Sequence, residues 1–170
     1  MKNALGIWLK LAAQSVRRTF TLSGRAARRE LIAWFVLVVS VNIVTNMIGA
    51  LTGSSDRLEW VRFTITILAI LPGFALFARR MHDIGYRGWW SLPMLLVAIQ
   101  NLVLEMVTRT AGWGARGNIE AVTRYLDWVL FPAFGFVYLI LLLAPGTKGT
   151  NGYGPDPRAA PDLPIAAGAA

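Results

Sequence analysis

Arg79-Arg80-Met81-His82-Asp83-Ile84-Gly85-Tyr86-Arg87-Gly88-Trp89-Trp90 lies between two apolar runs and carries the chain's only histidine. A tight polar hairpin between two membrane helices has this composition: arginines held at the cytoplasmic side and tryptophans at headgroup level where the next apolar run begins. Working outward, Phe63–Ala78 precedes it as one crossing, interrupted by Pro72-Gly73, and starts near Trp60 to reach a sufficient length. Trp89–Val107 follows it as another.

Composition agrees with a membrane reading. Of 170 residues 55% are hydrophobic and 15% charged, against roughly 25% charged in an ordinary soluble domain. The apolar residues are concentrated in long runs instead of a 3.6- or 2-residue period, which disfavours a soluble core. The net charge of +8 would suggest nucleic acid in a soluble protein. Here the basic residues sit at the ends of apolar runs, so anionic lipid is the expected partner and nucleic acid is not. Cysteine is absent and histidine occurs once, which removes disulfides, thiol chemistry and the usual zinc clusters. No cofactor is implied.

Leu31–Leu51 carries no charge and is long enough to span a hydrocarbon layer of about 30 Å. Trp128–Ala144, closed by Pro145-Gly146, is the last crossing. The fold class is therefore all-α: a polytopic membrane protein of about four transmembrane helices. Ahead of them, Leu5, Trp8, Leu9, Ala12, Val16 and Phe20 recur at helical spacing opposite Lys10, Gln14, Arg17 and Arg18. That is an amphipathic helix, lying in the interface or packed on the bundle. The chain divides into residues 1–22 as this helix, 23–157 as the four-helix membrane domain and 158–170 as a disordered tail. Gly24 breaks the chain before the first crossing, with Ser23 as a cap. Thr52–Arg62 and Thr108–Asp127 read as polar loops. With an even number of crossings, twelve Lys and Arg fall on one side and five on the other, which places both termini in the cytoplasm.

Three groups of residues are candidates for function. Arg25, Arg28, Arg29, Glu30, Arg79, Arg80, His82, Asp83 and Arg87 gather at the inner ends of the first three crossings and would contact headgroups or a partner. Asn42, Asn46, Gln100, Asn101 and Glu105 are polar within apolar runs and should look into the bundle, since an amide facing lipid lacks a partner. Glu105 has Arg109 four residues on, on the same helix face. Gly85, Gly88, Trp89, Trp90, Asn151, Tyr153 and Gly154 serve turns, with Tyr153 anchoring a turn that folds the tail under the bundle. His82-Asp83 is the only pair resembling acid–base chemistry. It has no nucleophile at recognisable spacing, and the plainer reading pairs Asp83 with Arg79, Arg80 or Arg87 and bonds His82 to backbone. No catalytic residue and no metal ligand is assigned.

Three blocks in order, Phe20 with Gly24-Arg25 and Arg28-Arg29-Glu30, then Arg79-Arg80-x-His82-Asp83-x-Gly85-x-x-Gly88-Trp89-Trp90, then Pro145-Gly146-x-x-Gly149-x-Asn151-x-Tyr153-Gly154-x-x-Pro157, resemble the bacterial inner-membrane proteins containing domain of unknown function 805. Leu31-Ile32 stands where that family usually has an aromatic pair. The resemblance implies a multi-pass inner-membrane protein without an established activity. A structural, scaffolding or regulatory role in the envelope demands no missing motif, with homo-oligomers or other membrane proteins as partners. A small transporter or channel subunit and a membrane enzyme or headgroup binder are the alternatives.

Overall fold

The computed structural model describes residues 2–53 and 55–159, the side chains of 2–5 excepted. Its elements are α1 (Lys2–Arg17), α2 (Arg28–Thr52), α3 (Asp56–Asp83), a 3₁₀ turn (Gly88–Ser91) and α4 (Leu92–Leu143). The all-α class stands: three helices are long and apolar enough to cross a membrane, and a shorter helix precedes them.

Several boundaries differ from expectation. α3 begins at Asp56, capped by the Ser55 hydroxyl, which accepts from the Leu58 amide. The charged segment 56–62 is thus the helix's first turns and not a loop. Ala27, not Ser23, occupies the N-cap of α2, without a side-chain hydrogen bond. The expected loop Thr108–Asp127 is helical, and the third and fourth crossings are the two arms of α4. Gly112 alone inside α4 has non-helical dihedrals (φ 82°, ψ 177°), a region open to glycine at little steric cost. Gln100 donates to Asp127 across this break, and Arg116 donates to Thr108. Residues 27 apart in a straight helix would stand about 40 Å from each other, so α4 doubles back at Gly112 and its arms lie side by side.

A multi-pass arrangement stands, but the placement of both termini in the cytoplasm does not. That placement counted four separate crossings. The described residues hold three candidate spans, Arg28–Thr52, Asp56–Asp83 and Gly88–Leu143, the last taking in both arms of α4, so the even count of separate spans on which that placement rested is not met.

The buried apolar core sits where α2, α3 and both arms of α4 meet, around Leu31, Trp34, Leu76, Met81, Met94 and Leu141. Elsewhere the helices present large apolar side chains outward, among them Val44, Leu68 and Phe136, as lipid-facing surfaces do. α1 packs on the bundle through Ala12 and Ser15, both buried, while Ile7, Trp8, Leu9 and Val16 remain exposed. The helix thus has one face on the protein and an apolar face free for the interface. Of the expected tail, residues 160–170 lie outside the described residues.

Candidate functional site

The end of a helix leaves up to four carbonyls without partners, and in a bilayer these must be satisfied within the protein. Two helices end at the Arg-rich end of this bundle, α3 at Asp83 and α4 at Leu143. Arginines from elsewhere in the chain close α4. Arg80 donates Nε to the Leu141 carbonyl (2.9 Å) and Nη2 to that of Ala144 (2.5 Å), and Arg28 Nη1 reaches the Leu143 carbonyl (3.3 Å). The segment after α4 closes α3: Thr147 donates its amide (2.7 Å) and hydroxyl (3.0 Å) to the Asp83 carbonyl, and Asn151 Nδ2 donates to that of His82 (3.0 Å).

Asp83 and Arg25 lie at the centre. The Asp83 carboxylate is 1% exposed and accepts from Arg25 Nε (3.0 Å), Arg25 Nη2 (2.8 Å) and Arg80 Nη1. Arg25 further donates to the carbonyls of Gly149 (2.6 Å), Gly154 (3.2 Å) and Thr147. A guanidinium has five N–H groups, and here the five bonds take up all of them. Gly146 makes room for the arrangement, because a Cβ on it would collide with the Asp83 carboxylate. One acid is thus shared by two arginines, and the remaining positive charge is spread over backbone carbonyls.

Beside this clasp, Arg79 is fully buried and faces Glu30 (Nη2 to Oε1, 3.4 Å). Ser15 of α1 donates to the same Glu30 oxygen (3.3 Å). Glu30 is therefore tied to both α3 and α1, through Arg79 and Ser15. His82 Nδ1 stands 3.0 Å from the Gly24 carbonyl, which can only accept, so this nitrogen carries the proton. The ring stacks on Tyr153 (4.0 Å, 3° between planes). Arg28, Arg29 and Arg87 are exposed, as are Trp89 and Trp90, which stack on each other (4.4 Å). Gly85 (φ 88°) turns the chain after α3. Gly88 lies against His82, Nε2 of which stands 2.9 Å from where a Cβ would be. Asn151 and Gly154 form a small β-bridge, with Asn151 Oδ1 accepting from the Tyr153 amide (2.9 Å). Arg158 pins the loop's far side: it donates to Asp156 (Nε to Oδ1, 2.8 Å) and to the Thr147 carbonyl (2.8 Å). Its side-chain hydrogen bond holds the Asp156 carboxyl down at about 2.

The intramembrane polar residues do not converge. Asn42 and Asn46 are exposed on the outer surface of α2, a correction to the inward facing expected of them. Their amides donate to carbonyls four residues back, of Val38 (2.8 Å) and Asn42 (2.7 Å), so the lack of an outside partner is no obstacle. Asn101 is likewise exposed and bonds to the Val97 carbonyl (2.8 Å). Gln100 and Asn101 do border a polar cleft of about 460 Å³ between the arms of α4, with Arg116, Glu120, Arg124 and Asp127 opposite. Toward Gly112 the charges pair among themselves: Arg109 with Glu105 (2.5 Å) and Glu59 (3.3 Å), Arg116 with Glu120 (2.7 Å), and Arg62 with Glu59 (2.5 Å). Among the described residues, no three His, Asp or Glu side chains come together as a metal site would require.

Thr147, Ser15 and Asp127 belong to these arrangements without having been singled out from the sequence, and Gly146 stands there only as the close of the last crossing and a position of the family block. The repeat Arg116, Glu120, Arg124 at four-residue spacing, followed by Asp127, was the available sign that 108–127 is helical.

A family model described as "Protein of unknown function (DUF805)" matches residues 19–155. The inner membrane protein YhaI of Escherichia coli strain K12 is 26% identical over 136 residues, covering 80% of this chain and 85% of YhaI. The inner membrane protein YhaH of the same strain is 28% identical over 146 residues, covering 81% of this chain and 88% of YhaH. No solved structure matches.

Proposed function

The chain belongs to the DUF805 family of bacterial inner-membrane proteins, and from that premise we propose that it is a structural or regulatory element of the envelope with no catalytic role. One observation carries this reading: all five N–H groups of Arg25 and both oxygens of Asp83 are engaged inside the protein. A headgroup-cleaving or phosphoryl-transferring site would keep cations and an acid free for substrate. Here the buried ones act as internal ties, and the exposed Arg28, Arg29 and Arg87 are left to meet anionic headgroups, each contributing about 1 kcal/mol near a negative surface.

The test compares Arg25→Gln with the triple variant Arg28→Gln, Arg29→Gln, Arg87→Gln. The first should melt well below the parent and expose residues 147–158 to protease while keeping its preference for anionic over zwitterionic vesicles. The triple variant should melt with the parent and lose that preference. Arg25→Gln with an unchanged melt would refute the proposal.

The polar cleft between the arms of α4 favours a second reading, passage or binding of a small polar solute. Solute flux in proteoliposomes that is abolished by Asp127→Asn, with the melt unchanged, would establish it.

A further inference from the structure

Between α2 and the second arm of α4 lies an apolar cleft of about 230 Å³, lined by Leu31, Trp34, Phe35, Val38, Phe134 and Tyr138, with Phe77 at its back. A volume several times that of one water, about 30 Å³, does not stay open in a bilayer. Two features mark its occupant as more than passing hydrocarbon. The Tyr138 hydroxyl, among rings that line the cleft, is buried and has no hydrogen-bond partner. An unmade hydrogen bond of this kind is costly in an apolar setting. And Arg28 stands on the face of α2 that carries Leu31, Phe35 and Val38 at helical spacing, exposed apart from its contact with the Leu143 carbonyl.

We infer that the cleft is a site for one anionic diacyl glycerophospholipid. Its phosphate meets Arg28, its acyl chain runs along Leu31, Phe35 and Val38, and the Tyr138 ring, which lines the cleft, turns its hydroxyl outward to donate to an ester carbonyl. The depths agree. Leu143, whose carbonyl Arg28 touches, is five residues or about 7.5 Å along the helix from Tyr138. The zone between headgroup surface and hydrocarbon is about 5–7 Å thick, so a tyrosine one such step below the arginine faces the ester level. The polar atom missing from the cleft is the one that a diacyl lipid supplies there.

This inference rests on the reading of the exposed basic residues as a headgroup surface, and the experiment separates the two. Detergent-purified full chain is exchanged into mixed micelles containing phosphatidylglycerol in either diester or diether form, and retained lipid is counted by native mass spectrometry. A diether lipid has the same headgroup and chains and lacks the ester carbonyls. The parent should retain one diester molecule, about fivefold in preference to the diether, as one buried hydrogen bond would give. Tyr138→Phe should bind both forms equally with an unchanged melt, and Arg28→Gln should bind both weakly. Equal retention of diester and diether by the parent overturns the site, whether or not phosphatidylglycerol is preferred over phosphatidylcholine. Loss of that headgroup preference in the parent would instead overturn the surface reading. A brominated acyl chain that leaves Trp34 unquenched, compared against Trp34→Phe, would also overturn the site, as would a dimer whose disulfide crosslinks between cysteines placed at Phe35 and Phe134 of different copies fill the cleft with a second chain.

Discussion

At the Arg-rich end, the side chains of Arg25, Arg80 and Asp83 are at most 1% exposed, and the arginines finish on backbone carbonyls as well as on the acid. At the Gly112 end, Glu59, Arg62, Glu105, Arg109, Arg116 and Glu120 have side chains 11 to 44% exposed and bond mainly to one another. Partly hydrated ion pairs exchange water for a partner at little net gain. Fully buried ones are held at a desolvation cost that becomes visible only when one partner is removed. One end is therefore a lock whose parts depend on each other, and the other a set of replaceable contacts.

The hardest blow to this contrast should come from Asp83→Asn, which leaves two buried guanidinium groups without their carboxylate. A loss of about 3–5 kcal/mol is expected, read as a much lower melting temperature in detergent. Gly146→Ala should fall in the same direction because its methyl group displaces that carboxylate. If Asp83→Asn melts with the parent, the buried end is no more cooperative than the exposed one. Arg109→Leu probes the exposed end, where about 1 kcal/mol or less is expected, and adding Glu105→Gln should return part of it. A loss as large as that of Asp83→Asn would erase the distinction between the ends.

Smaller still is the joint variant Asn42→Leu, Asn46→Leu, on a lipid-facing surface with each amide bonded within its own helix. A stability change within about 0.5 kcal/mol is expected, and a large drop would mean that these amides pair with another chain. The least effect concerns pH. The carboxyl of Asp156 titrates at about 2, below its ordinary 3.8. The tie to Arg158 is therefore present above the ordinary value and is lost as pH falls through about 2. Amide exchange at Gly149, which donates to Asp156 (3.3 Å), should stay slow to below pH 3 and quicken only near 2. Quickening at pH 4 would show that the arginine does not hold the carboxyl down.

What the sequence disclosed follows from how local each interaction is. Arg79, Arg80, His82 and Asp83 occupy one turn, so their clustering was legible, and so was the pairing of Glu105 with Arg109 four residues away. The turn at Asn151–Gly154 announced itself by its glycines. The partner of Arg25 was not legible, because Asp83 lies 58 residues on and the carbonyls of Gly149 and Gly154 more than twice as far. Charge alone offered any of several acids. The outward facing of Asn42 and Asn46 was misjudged for a different reason: a side-chain amide can satisfy itself on a carbonyl four residues back, so polarity inside an apolar run does not fix direction. Gly112 read as a loop glycine, whereas helix resumes immediately after it.

The bonds from Arg25 to Gly149 and Gly154 span 124 and 129 residues, and this gives the clasp a place in time. At about 5–20 residues per second, Arg25 emerges from the ribosome roughly ten seconds before the carbonyls that complete its set. During that interval α2 and α3 enter the bilayer with an arginine still dependent on water and headgroups at the interface. The later-made segment around Gly149 and Gly154 converts that hydrated cation into a buried one. A chain released before Gly154 would keep its helices yet hold Arg25 and Asp83 open to solvent, a state that a membrane protease could distinguish from the finished protein.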